Sequence, residues 1–142
     1  VVAVDRSEAA LALAGENAVA TGLATRVQFQ TSDWYAAVPP GSYDVIVSNP
    51  PYLSAAEVAA TSAEVREFEP RDALAAEDEG FRDLEALIDG AARYLRRGGL
   101  LALETGIAQH SRLVERLGRL GFARTESKQD LTGRDRFILA VW

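Results

Sequence analysis

Tyr43-Asp-Val-Ile-Val-Ser48 runs straight into Asn49-Pro-Pro-Tyr52, and this junction decides how the rest of the chain reads. A β-branched run with a Pro39-Pro-Gly41 turn before it and two prolines after it is a strand that stops abruptly, because proline donates no N–H and pushes its predecessor out of helical geometry. Towards the amino end, Val1-Val-Ala-Val closes on Asp5, the pattern of a parallel strand buried on both faces. A helix follows at once, with Ser7 as its cap, Glu8 at its positive end and an apolar face of Ala10, Leu11, Leu13, Ala14 and Ala18. Gly22 stands where a left-handed C-terminal cap belongs. Val27-Gln-Phe-Gln30 alternates as a further strand that ends in Thr31-Ser-Asp-Trp34.

Beyond the prolines, Ser54 and Glu57 have capping-box spacing and open a short helix, and residues 67–80 read as a polar surface loop. From Phe81 to Arg97 the positions Leu84, Leu87, Ile88, Ala91 and Leu95 repeat with helical period, and Arg96-Arg-Gly-Gly99 supplies basic residues and a glycine stop. Leu100–Glu104 is another buried strand. Gln109–Leu120 is a helix stopped by Gly121, and Phe122–Gln129 and Phe137–Trp142 lie too close for a helix between them, so they form an antiparallel pair. The class predicted is a three-layer α/β sandwich with a mostly parallel sheet and an antiparallel hairpin at its carboxyl end.

With 142 residues, 48% hydrophobic and 25% charged, the composition is that of one globular domain and excludes disordered and fibrous classes. The apolar runs are strand-sized, far below the roughly 20 residues of a membrane helix. There is no cysteine, so a disulfide framework and a thiolate metal site are both excluded, and the single histidine, His110, reads as a surface residue. Glu77, Asp78 and Glu79 are consecutive and lack an ordered set of partners, so no metal site is expected. A net charge of -6 disfavours broad attachment to nucleic acid.

In open α/β sheets ligands bind beyond the carboxyl ends of the strands, which here carry Asp5, Asp33-Trp34, Asn49-Pro-Pro-Tyr52 and Glu104-Thr-Gly106. Asp5 is either an acceptor for a ribose diol or an acid at a helix start. Asp33-Trp34 is either an acceptor for an exocyclic amine beside a flat surface for a purine, or a turn aspartate beside a core tryptophan. Asn49 and Pro50 offer two carbonyl acceptors that grip the two hydrogens of an NH2 group. Pro51 stiffens them, and Tyr52 packs on the plane that bears the nitrogen. Arg134-Asp-Arg136 reads as a charge-paired turn, and Glu64 to Arg71 as a solvated polar loop.

Ser48-Asn-Pro-Pro-Tyr52 after an apolar strand resembles the signature of methyltransferases that act on planar amino groups of amides, adenine or guanine. Together with Val4-Asp-Arg-Ser-Glu-Ala-Ala-Leu11, Glu16-Asn-Ala18, Asp33-Trp34, Glu64-Val-Arg-Glu-Phe-Glu-Pro-Arg71, Tyr94-Leu-Arg-Arg-Gly-Gly99, Glu104-Thr-Gly106 and Asp130-Leu-Thr-Gly-Arg-Asp-Arg136, it resembles the release-factor glutamine N5-methyltransferase family over nearly the whole chain. The resemblance implies the Rossmann-like fold of class I S-adenosylmethionine-dependent enzymes. It further implies methylation of the glutamine in the Gly-Gly-Gln motif of bacterial peptide chain release factors, in the cytoplasm. By carry-over, Asp5 binds the ribose of S-adenosylmethionine, Asp33 and Trp34 its adenine, and Asn49, Pro50, Pro51 and Tyr52 the substrate amide, with Asn49 also facing the cofactor. Catalysis then rests on orientation and on carbonyls that favour the developing positive nitrogen. Base-directed methylation of adenine or guanine shares this motif and is the alternative.

The family pattern also has an amino-terminal helical domain, then a first strand and a Gly-x-Gly loop under the methionine end of the cofactor, and none of these is found in the sequence. Residues 1–142 are therefore expected to be a partial catalytic domain cut from a longer product, without activity if that loop is indispensable. In the family's sheet order the first strand lies between the strands ending at Asp5 and at Ser48. Its loss is expected to leave unpaired backbone on both strands, with self-association through the exposed sheet gap.

Overall fold

The computed structural model describes all residues except Pro40, Ser42, Glu69 and Ala76, and it describes Arg71, Asp72, Glu77 and Glu79 by their backbone alone. Pro40 of the predicted turn and Glu69 of the polar stretch thus lie outside the described residues. The chain divides into two compact units, Val1–Pro40 and Gly41–Trp142.

The first unit is a β-α-β arrangement. Strand β1 (Val2–Asp5) leads into helix α1 (Glu8–Ala20), and β2 (Gln28–Thr31) pairs parallel to β1. The Ser7 hydroxyl accepts the Ala10 N–H at 3.2 Å, and Gly22 takes φ +71° just past the helix, so both predicted ends hold. Burial departs from the sequence reading. Val1 is 87% exposed, Leu13 58% and Val19 69%, because β1 has one sheet neighbour among the described residues and α1 buries only Ala18. The all-apolar run of β1 is thus an edge strand, not one covered on both faces.

The second unit holds a sheet of four strands in the order β3-β4-β6-β5, where β3 is Tyr43–Ser48, β4 is Leu95–Glu104, β5 is Arg124–Gln129 and β6 is Asp135–Val141. The β3–β4 pair is parallel, and β6 runs antiparallel to both β4 and β5. Helices α6 (Arg82–Ala91) and α7 (His110–Leu120) press Leu84, Leu87, Ile88, Leu113 and Leu117 against Leu101, Leu103, Ile138 and Ala140 at the centre of the buried core, which Phe81, Ala91, Leu95 and Phe122 extend. Alternation puts Val45, Val47, Ala102 and Leu139 on the other face, where Val45 is 49% and Val47 75% exposed. Gly121 ends α7 at φ +92°.

Two stretches differ from their sequence reading. Arg96-Arg-Gly-Gly99 does not stop a helix. It forms an irregularity within β4, between the pairs Tyr43↔Leu95 and Val45↔Leu100, and its backbone is claimed by Trp142, which accepts from the Gly98 N–H and donates to the Gly99 carbonyl. Residues 67–80 are not a plain loop. Between α2 (Ala55–Ala60, with the predicted Ser54/Glu57 capping box) and α6 lie the short helices α3 (Ala63–Phe68), α4 (Arg71–Leu74) and α5 (Glu77–Gly80). A bridge between Leu53 and Ala75 then ties this stretch to the segment after β3. Among the described residues, no helix is long and apolar enough to cross a membrane.

Candidate functional site

In the first unit the parallel register pairs Asp5 with Thr31, and the Ser32 N–H donates to the Asp5 carbonyl at 3.0 Å, so Asp5 and Asp33-Trp34 stand at neighbouring strand ends. One carboxylate oxygen of Asp5 accepts the Ser7 N–H at 2.8 Å. That bond orients the group and leaves acceptor capacity, since a carboxylate offers about four lone-pair sites. Trp34 sits at φ +46°, a left-handed conformation that costs a non-glycine residue about 1 kcal/mol or more. Ser32 holds it there: its buried hydroxyl donates to the Trp34 carbonyl at 2.8 Å and accepts the Ala37 N–H at 3.0 Å. Asp33 stays exposed and Trp34 half-buried beside it. Sequence reasoning missed Ser32, a common residue with no motif around it.

In the second unit, Asn49-Pro-Pro-Tyr52 follows β3 as predicted. Pro50 is fully buried, Asn49 is exposed, and Pro51 and Tyr52 are half-buried. The loop borders a cavity of about 100 Å³ whose far wall is Ala73 and Leu74. That is several times the ~10–15 Å³ that admits one water. The wall is held by the Leu53 N–H, which donates to the Leu74 carbonyl at 3.1 Å. Asn49 also touches a hollow of about 310 Å³ on the open sheet face, bounded by Val47, Ala102, Phe137 and Leu139.

Tyr52 is held from several directions. Its hydroxyl donates to Glu104 at the end of β4 at 2.7 Å, and its carbonyl accepts from the Gln109 side chain at 2.9 Å. The Gln109 oxygen in turn accepts the Gly106 N–H at 2.8 Å. Burial first, then the bond to Glu104 and its charge, push the Tyr52 phenol up to about 12 against the opposing Arg136 and Arg134. The Arg136 guanidinium lies 5.4 Å from the Tyr52 ring centroid and donates to the Thr105 carbonyl at 3.1 Å.

Arg136 therefore does not belong to a charge-paired turn. Arg134 does, since it donates to Asp130 at 3.1 Å, and the Thr132 hydroxyl together with the Arg134 backbone and side chain holds the Asp130 carboxyl well below the usual range. His110 is not a surface residue either. It is 7% exposed, and its ring bridges the Thr105 and Ser127 hydroxyls at 2.7 Å on each side. The reason is its place at the first turn of α7, where the helix lies on the sheet. Of the acidic trio, the side chains of Glu77 and Glu79 lie outside the described residues, and Asp78 accepts from Arg112 at 2.9 Å.

Residues 1–68 match the family profile described as the methyltransferase small domain. The release factor glutamine methyltransferase of Cereibacter sphaeroides is 46% identical over 139 residues, 98% of this chain and 50% of that protein. That of Shewanella oneidensis is 39% identical over 142 residues, 100% of this chain and 49% of that protein. The chain thus spans about half the length of the curated relatives it matches. Among solved structures, a SAM-dependent O-methyltransferase from Thermotoga maritima matches with a TM-score of 0.69 at 16% identity, covering 99% of this chain and 48% of that one. A methyltransferase from Pyrococcus furiosus matches with a TM-score of 0.68 at 20% identity, covering 99% and 61%. At those identities the likeness speaks for fold alone, an α/β fold of the Rossmann-like class I methyltransferase type. By sequence, the chain resembles the release factor glutamine methyltransferases over nearly its whole length, which corresponds to about half of theirs.

Proposed function

We propose that the chain is the partial catalytic domain, residues 1–142, of an enzyme that transfers a methyl group from S-adenosylmethionine to an amide nitrogen. Its substrate is the glutamine N5 in the Gly-Gly-Gln motif of peptide chain release factors in the cytoplasm. The observation that carries this reading is the Asn49–Tyr52 loop, whose Asn49 is exposed while Pro50 is buried and Tyr52 is tied to Glu104 and Gln109. The Asn49 side-chain oxygen and the Pro50 carbonyl are acceptors on a stiff backbone, suited to the two hydrogens of one NH2 group. The cavity of about 100 Å³ beside them suits a group the size of a carboxamide.

The residues at the ends of β1 and β2 fit the cofactor. Asp5, already oriented by the Ser7 N–H, would accept from a ribose hydroxyl, Asp33 from an exocyclic amine, and Trp34 offers a flat apolar surface. When bound, the cofactor supplies an electrophilic methyl group. The chain's own residues orient the poorly nucleophilic amide and favour positive charge on its nitrogen through the two carbonyl acceptors. No residue has to remove a proton beforehand, because the methylated amide is itself strongly acidic. With a net charge of -6, a protein substrate suits the chain better than a polynucleotide.

Calorimetric titration of the chain with S-adenosylhomocysteine tests the cofactor half. Binding lost in Asp5→Ala and kept in Asn49→Ala is expected. A folded chain that binds equally well with and without Asp5 would overturn that assignment.

A further inference from the structure

Three separate segments converge on Tyr52. Glu104, at the end of β4, accepts the phenol hydroxyl at 2.7 Å. Gln109, only 4% exposed, spans from the Gly106 N–H to the Tyr52 carbonyl with bonds of 2.8 and 2.9 Å, using both ends of its amide. Gly80, at φ +86°, lies against the same carbonyl so closely that a Cβ there would stand 2.0 Å from the oxygen and 2.5 Å from the Gln109 nitrogen. A buried amide satisfied at both ends is a directional strut, since rotating it to serve one partner leaves the other unpaired. Tyr52 is thus restrained at both its carbonyl and its hydroxyl.

We propose that Glu104 and Gln109 are positioning residues for the reaction, fixing the Tyr52 ring and the preceding Asn49 and Pro50 acceptors at one spacing so that a substrate carboxamide is gripped in a single orientation. The proposal rests on the amide-grip reading above. Neither residue touches the substrate. Glu104 acts through the phenol and Gln109 through the main chain, and Arg136 over the ring adds a third restraint. Orientation is the main resource available to a site that methylates a weak nucleophile, so a strut that fixes geometry contributes to rate without contacting the reacting atoms.

The test uses the 142-residue chain with ring-labelled tyrosine, followed by NMR, and a short peptide carrying Gly-Gly-Gln as the probe; Tyr52→Phe assigns the ring signal. In the unaltered chain Tyr52 is expected to titrate near 12, far above the ordinary 10.0. Glu104→Gln, which keeps shape and acceptor but removes the charge, is expected to bring that titration down while the chain stays folded. It should also weaken the peptide severalfold. Gln109→Ala is expected to weaken it about tenfold, the effect of roughly one lost hydrogen bond, and Gln109→Glu is not expected to restore it because the donor to Tyr52 stays lost. A Tyr52 that titrates like an exposed phenol, or folded Glu104→Gln and Gln109→Ala chains that hold the peptide as tightly as the unaltered one, would overturn the proposal. A chain that binds no peptide overturns the amide-grip reading separately, and the Tyr52 titration still decides whether the ring is pinned.

Discussion

Asn49 is exposed beside a proline that is wholly buried, so its side chain is free for a ligand while its backbone is anchored. Asn49→Ala should therefore leave stability within about 0.5 kcal/mol of the parent, as exposed substitutions do. In the family's full-length enzyme it should lower methyl transfer by about 100-fold, the scale seen when one preorganised polar contact to a developing charge is removed. Thermal unfolding and single-turnover transfer to a release factor measure the two effects; an active Asn49→Ala enzyme would sink the grip. His110 gives a second expectation at this scale. Burial, the largest cause, and Arg136 lower its pKa below 6.5 while Asp135 opposes them. The unfolded chain then takes up the proton more readily than the folded one. The stability held by the neutral ring is full above pH 6.5 and is lost as pH falls through the lowered folded value. Urea unfolding from neutral pH downward should show this slope, and it should be flatter in His110→Gln. As the chain has a single histidine, one imidazole signal reports the titration without ambiguity.

The short helices before α6 carry an expectation of their own. Gly80 ends α5 in a left-handed conformation with no room for a Cβ beside the Tyr52 carbonyl. Gly80→Ala should cost well over about 1 kcal/mol and push the Asn49–Tyr52 loop off its supports, whereas Gly15→Ala meets nothing within 4 Å and should be mildly stabilising. Chemical denaturation of both variants checks the contrast. This pair also shows which elements can be read from sequence. The periodic helices α6 and α7 are legible because their burial follows from spacing alone, and strand β3 because two prolines end its β-branched run. Residues 67–80 look like a loop because what orders them is a contact with the residues after β3, marked locally by no more than a glycine. Arg96-Arg-Gly-Gly99 misleads for the same reason: basic residues before glycine signal a helix end, yet the carboxyl-terminal Trp142 takes that backbone into β4. The Asn49–Tyr52 motif could be found because it carries its own stiffness and acceptors. Gln109 could not, since its role exists only once Tyr52 lies opposite.

On the scale of the whole molecule, each unit closes its sheet on an open apolar strand: β1 pairs with β2 alone and β3 with β4 alone among the described residues. A solvated edge is ordinarily guarded by lysine, proline, a bulge or an inward charge. Within β3, Asp44 is the one charged residue, and it is paired with Arg96. Val47, 75% exposed, stands beside a hollow of about 310 Å³ with largely apolar walls. An edge of this kind offers unpaired N–H and C=O groups together with apolar area, the two things that a second strand supplies in return. We therefore expect the isolated chain to self-associate through β3 as concentration rises, with Val47→Lys suppressing association by placing a charge on the open face. Sedimentation velocity across a wide concentration range reads both. A chain that stays monomeric throughout would show that this edge is guarded, and an associating Val47→Lys variant would move the contact away from β3.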